Sequence, residues 1–116
     1  MSKLTEVVLD RRKAQEKYFK NYLDWARIIK KEAEKFLGKT QAFIFGSILR
    51  KGEVPRDIDI LIVSPKLTTT EKKSIIKAKI WQRIGFFSPF EIHLSTPEEY
   101  RDWYRHFIKK EKIEIK

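Results

Sequence analysis

The sequence predicts a single α+β domain, a small mixed β-sheet flanked by helices. Three observations carry this. Gln41–Phe45, Ile58–Val63 and Phe90–Ser95 are apolar runs of strand length, rich in β-branched or aromatic residues. Helical three- and four-residue periodicity fills the stretches around them, and Gly38, Gly46, Pro65 and Gly85 punctuate the ends. A chain of 116 residues suits one cooperative unit. The expected organisation is therefore one domain over residues 1–116, with a long N-terminal helix over about 10–37 and a core over about 40–109.

The N-terminal helix rests on Phe19, Tyr22, Leu23, Ala26, Ile29, Ala33, Phe36 and Leu37, which form one apolar stripe closed by Gly38. Tyr18, Trp25 and Ile28 widen that stripe, enough to suggest a second contact surface. Thr68 with Glu71 reads as a capping box opening a helix over 69–84, in which Ile76, Ile80 and Ile84 keep helical spacing. In the third strand Phe90, Ile92 and Leu94 alternate with Glu91, His93 and Ser95, which places the two sets on opposite faces. Thr96, Pro97 and Glu99 supply the cap, first position and reciprocal cap of a last helix reaching about residue 109. The tail alternates Ile113 and Ile115 with charges, as either an edge strand or a frayed end does.

The chain is 41% hydrophobic and 36% charged, as a water-soluble globule is. With no cysteine it has neither disulfides nor a thiolate metal site. It has no secretory h-region and no apolar run of membrane-spanning length, so the expected location is cytoplasmic, without a membrane partner. The net charge of +10 suits a polyanionic partner such as a nucleotide or nucleic acid. Interspersed Lys and Glu, however, are also the mark of solvated helix faces and of thermophile proteins.

The chemistry concentrates between Phe45 and Val63. Asp57 and Asp59 open an apolar strand, and alternate strand residues share a face, so both carboxylates project together at one end of the sheet. Two such anions repel unless a cation lies between them, and Mg²⁺ takes one or two carboxylates plus phosphate oxygens. Two solvated acids at a strand start look the same in sequence. Gly46-Ser47 directly follows a strand, where glycine admits a ligand close to the backbone and the serine offers an N–H and a hydroxyl to phosphate. Alone this is a common turn.

Gly46-Ser47, nine residues, then Asp57-Ile58-Asp59 at the head of an apolar strand together resemble the nucleotidyltransferase superfamily of DNA polymerase β. The small size is similar to its minimal archaeal and bacterial members. The resemblance covers residues 41–63 closely and 90–107 more loosely, and implies a polymerase β-like fold with an added N-terminal helix. It implies Mg²⁺-dependent transfer of a nucleoside monophosphate, AMP favoured, from ATP or another NTP to a hydroxyl, with release of pyrophosphate. Asp57, Asp59 and a third acid, best matched by Glu91, would be catalytic and would hold two Mg²⁺ ions, with Mn²⁺ as a substitute. Gly46 and Ser47 would cradle the triphosphate, and Arg50, Lys51 and Arg56 would add positive charge beside it.

The spacer is a residue shorter than the commonest family form, Arg56 stands where Ser often precedes the first Asp, and the third acid is Glu rather than Asp. His93 shares a face with Glu91, and its plain reading is a supporting or surface residue, since the family's phosphoryl step needs no histidine. His106 reads as structural or exposed, and Trp81, Trp103 and Tyr104 as core. Larger members add a domain that holds the acceptor, for which this chain has no room. The resemblance therefore suggests a homodimer, or the small helical protein paired with minimal nucleotidyltransferases in toxin–antitoxin systems. The alternative function is an antitoxin-like binding module, with Trp25, Tyr18 and Ile28 as its contact surface.

Overall fold

The computed structural model describes residues 2–107 and 111–116. Where one long helix was expected there are two, α1 (Lys3–Lys20) and α2 (Tyr22–Leu37), and the first begins seven residues earlier than the apolar stripe suggests. Ser2 caps α1 by accepting from the Thr5 N–H at 3.2 Å. The break is at Asn21, whose φ of −119° and ψ of 36° leave the helical region. Its backbone N–H and its side-chain amide both donate to the Lys17 carbonyl at 3.2 Å. An asparagine side chain that competes for backbone partners in this way turns the chain without ending the ladder.

In α2, Ala26, Ile29, Ala33 and Leu37 are buried as the stripe requires, but Phe36 lies half in solvent. Tyr18 is buried in the core, its hydroxyl donating to the Ile84 carbonyl at 2.5 Å, and Trp25 packs on it with ring centroids 4.7 Å apart. Ile28 also packs against this core. The face suggested as a binding surface is thus engaged inside the chain. The first half of α1 instead leaves Leu4, Val7, Val8 and Leu9 exposed and contributes to an elongated shape of 49 × 30 × 23 Å.

The sheet comprises β1 (Gln41–Phe45), β2 (Ile58–Val63), β3 (Phe90–Ser95) and β4 (Lys112–Glu114) in the order β3-β2-β1-β4. β2 and β3 are parallel, joined through helix α3 (Thr70–Ile84), and β1 is antiparallel to both β2 and β4. The tail is therefore an edge strand, fixed by buried Ile115, whose N–H donates to the Ala42 carbonyl at 2.8 Å. Thr69, one residue later than expected, caps α3 by accepting from the Lys72 N–H at 3.1 Å.

One sheet face, with Ile44, Ile60 and Ile92, packs on α2 and α3 to form the main core. The other face buries Phe43, Leu61 and Val63 against Tyr100 and Tyr104. Those tyrosines belong to the last helical stretch, α4 (Pro97–Glu99), a wide π turn (Tyr100–Tyr104) and α5 (Arg105–Phe107). The expected capping box forms, Thr96 and Glu99 each accepting from the other's backbone N–H. Of the aromatic residues expected in the core, Trp81 and Tyr104 are half-buried, whereas Trp103 is exposed, because the π turn rotates it off the sheet. His106 is exposed, and the expected helix end near residue 109 lies outside the described residues. No helix among the described residues is long and apolar enough to cross a membrane.

Candidate active site

The site forms where β1 ends and β2 and β3 begin. Gly46 leaves β1 at φ +86°, a conformation that side-chain-bearing residues rarely adopt, and Ser47–Leu49 closes a tight 3₁₀ turn. The turn is tied by the Leu49 N–H to the Gly46 carbonyl at 3.1 Å and the Arg50 N–H to the Ser47 carbonyl at 3.0 Å. A Cβ on Gly46 would overlap Oδ2 of Asp59, so only glycine brings this backbone against that carboxylate.

Asp59 sits in β2 directly between Phe45 of β1 and Glu91 of β3, and all three share the face opposite the helices. His93, two residues after Glu91, lies on the same face with Nε2 3.2 Å from Asp59 Oδ1 and 3.9 Å from Glu91 Oε1. Its ring neighbours those of Phe45 and Tyr104, with centroids 5.3 and 5.9 Å away. The imidazole thus contacts two aromatic rings and a carboxylate, a closer engagement than a surface histidine has. The parallel pairing of β2 with β3 produces this contact, and the sequence alone does not disclose that register.

Asp59, Glu91 and His93 each offer one ligand atom, all within 4.8 Å of one another. Ligands about 2.1 Å from a hexacoordinate cation lie about 3.0 Å apart when adjacent and about 4.2 Å when opposite. The two separations from His93, 3.2 and 3.9 Å, fall within that range, and Asp59 and Glu91 lie within 4.8 Å of each other, so the two carboxylates converge on the place a divalent cation would occupy beside His93. Asp57 stands apart from this group: it precedes β2, is exposed, and lines a hollow of about 400 Å³ together with Glu91 and His93. Arg11 and Gln15 of α1, Lys77 and Trp81 of α3 and the segment from Ser88 into β3 also line that hollow.

The basic residues of the loop divide. Arg50 donates through Nε to Glu111 at 3.1 Å and lies 3.8 Å from Glu53. The hydrogen bond to Glu111, and then the charges of both acids, raise its pKa further. Its guanidinium is therefore directed to the C-terminal tail. Lys51 and Arg56 are exposed and make no ion pair among the described residues, which leaves their charge available.

Residues 26–115 match the family model of the nucleotidyltransferase domain. The fold is similar to a crystal structure described as a candidate nucleotidyltransferase, at 27% identity and a TM-score of 0.65, covering 78% of this chain and 96% of that one. No curated protein matches the sequence.

Proposed function

Because the chain belongs to the nucleotidyltransferase domain family, whose members take an NTP and transfer its nucleoside monophosphate with a divalent metal, we propose that Asp57, Asp59 and Glu91 carry Mg²⁺-dependent transfer of AMP from ATP to a hydroxyl. The observation that carries the assignment is the contact of the Gly46 backbone with Asp59. It brings the Gly46-Ser47 turn beside the Asp59 carboxylate, which supports a triphosphate lying between the turn and that acid.

In this reading Asp59 and Glu91 hold the metal, Asp57 joins them at the mouth of the hollow, and His93 fixes the orientation of Asp59 through the 3.2 Å contact. A divalent cation, when bound, supplies Lewis-acid neutralisation of phosphate charge. The N–H groups and hydroxyl of the Gly46-Ser47 turn receive the terminal phosphates, with Lys51 and Arg56 contributing charge where the leaving group becomes more anionic. Arg50 supports the loop through Glu53 and Glu111. The acceptor hydroxyl attacks the α-phosphorus and pyrophosphate leaves.

The test uses ATP labelled at the α-phosphate, Mg²⁺ and candidate acceptors, with the intact protein beside Asp59→Asn. Losing a carboxylate that neutralises several kcal/mol of developing charge lowers transfer at least about 10³-fold. Transfer retained by Asp59→Asn, or surviving a metal chelator, would overturn the assignment.

A further inference from the structure

The two edges of the sheet are built differently. β4, at one edge, is three residues long and carries Lys112 and Glu114, the short charged kind of strand that resists pairing with another chain. β3, at the other, runs six residues, Phe90-Glu91-Ile92-His93-Leu94-Ser95, in unbroken register with β2 and without a proline. None of the chain's 26 Lys and Arg falls within it. The hollow of about 400 Å³ runs beside Ser88–His93, so the helices leave open space along this edge.

The backbone groups on that edge lack partners. In a parallel pair alternate residues face the neighbouring strand, and here the Ile58 N–H donates to the Pro89 carbonyl and the Ser64 N–H to the Ser95 carbonyl, both at 3.0 Å. Pro89, Glu91, His93 and Ser95 are therefore turned to β2, and Phe90, Ile92 and Leu94 are turned outward. Ser88 Oγ accepts from the Phe90 N–H at 3.2 Å. The N–H groups of Ile92 and Leu94 and the carbonyls of Phe90, Ile92 and Leu94 make no hydrogen bond among the described residues. An edge of this length without a blunting device is a template for one more strand.

We infer that β3 pairs antiparallel with β3 of a second copy of this chain, two-fold about Ile92, to give one continuous sheet with twice the four strands of one copy. In this register Ile92 exchanges both backbone bonds with Ile92 of the second copy, and on either side a Leu94 N–H donates to a Phe90 carbonyl across the junction. The side chains match as well. Glu91 falls opposite His93 of the second copy, and His93 opposite its Glu91, so each carboxylate meets an imidazole. That match selects a second copy over an unrelated extended peptide, which would make the same main-chain bonds. The strand is added in the plane of the sheet, and the two-fold axis keeps both carboxylate faces on one side. Each copy thus brings its Glu91 beside the other's His93, which already contacts Asp59 at 3.2 Å. The pairing does not depend on the transferase reading.

Sedimentation equilibrium of the intact chain over a concentration series should reach twice the 14.0 kDa of one copy. Hydrogen exchange followed by NMR should show the Ile92 and Leu94 amides slowing at least about tenfold as the dimer forms. Glu91→Lys sets a cation opposite His93 in both cross-strand pairs and should weaken association about tenfold or more. Adding His93→Glu to Glu91→Lys returns opposite charges to each pair and should restore association to within about threefold of the intact chain. Circular dichroism melts show whether each variant folds, and the exchange of the intact chain decides the matter if one does not. A synthetic acidic six-residue peptide, added to the intact chain, is the comparison. Three results each overturn the inference. They are a chain that stays at 14.0 kDa up to about 1 mM, a dimer whose Ile92 and Leu94 amides still exchange fast, and protection of those amides obtained only with the peptide. The second would move the junction to another surface, such as exposed Leu4, Val7 and Val8 of α1, and the third would give the edge to an unrelated chain.

Discussion

The two faces of β2 differ in kind. Ile58, Ile60 and Ile62 point to the helices and are fully buried. Asp59, Leu61 and Val63 point the other way, and there Leu61 and Val63 are sealed by the C-terminal helical stretch while Asp59 stays partly open beside Glu91 and His93. A carboxylate inserted among core positions inherits their rigidity through the shared backbone, which is how a small domain holds charged ligands without a dedicated scaffold. Substitutions one residue apart should therefore separate stability from chemistry. Ile60→Ala, which opens a cavity in a fully buried site, should cost about 2–5 kcal/mol in urea denaturation while the molecules that remain folded retain their activity. Asp59→Asn should behave oppositely, losing transfer with a stability change under about 1 kcal/mol. If both variants lost stability alike, the division between the faces would fail.

Gly46 tests how tightly the turn and the carboxylate are coupled. Both Gly46 and Gly52 have positive φ, +86° and +83°, but a Cβ at Gly46 meets Asp59 whereas one at Gly52 meets no atom within 4 Å. Ala at either position carries a conformational penalty of about 1 kcal/mol. Only Gly46→Ala also displaces Asp59, so it should lose about 1–3 kcal/mol in total and weaken ATP binding measured by calorimetry. Equal effects of the two substitutions would show that the contact with Asp59 is unimportant.

The same contrast explains what the sequence disclosed. Strands β1, β2 and β3 and the Thr96–Glu99 capping box were legible because they rest on local alternation and local hydrogen bonds, and Gly46, Ser47, Asp57, Asp59 and Glu91 could be named as candidates because their residue types stand out within those patterns. The separation of Asp57 from the group around Asp59 was not legible, since alternation does not say where strand pairing begins. The engagement of His93 required the parallel register that sets Asp59 opposite Glu91, a nonlocal fact. The break at Asn21 was hidden because apolar spacing continues across it, and the exposure of Trp103 because a π turn shifts the helical phase. Arg50 and Lys51 looked equivalent in the loop until Glu111, distant in sequence, distinguished them.

The smallest effect concerns the cover over the second face. Lys73 donates to both carboxylate oxygens of Glu99, at 2.8 and 2.7 Å, linking the start of α3 to the helical stretch that carries Tyr100 and Tyr104. The hydrogen bond from Lys73, and then that from the Thr96 backbone N–H, lowers the Glu99 pKa from its ordinary 4.5. A carboxylate whose folded pKa is depressed stabilises the fold above its unfolded pKa, and that contribution is lost as pH falls through the folded value. Glu99 is partly exposed, so solvent screening limits the contribution to roughly 0.5–1 kcal/mol. Urea denaturation should show Glu99→Gln less stable than the intact chain at neutral pH, with the gap closing as pH falls below about 4.5. A gap that persisted unchanged in acid would assign the loss to packing of the side chain rather than to its charge. The cover over Phe43 and Leu61 also rests on the stacking of Phe43 with Tyr100, at 5.4 Å and nearly coplanar at 6°, which neither outcome alters.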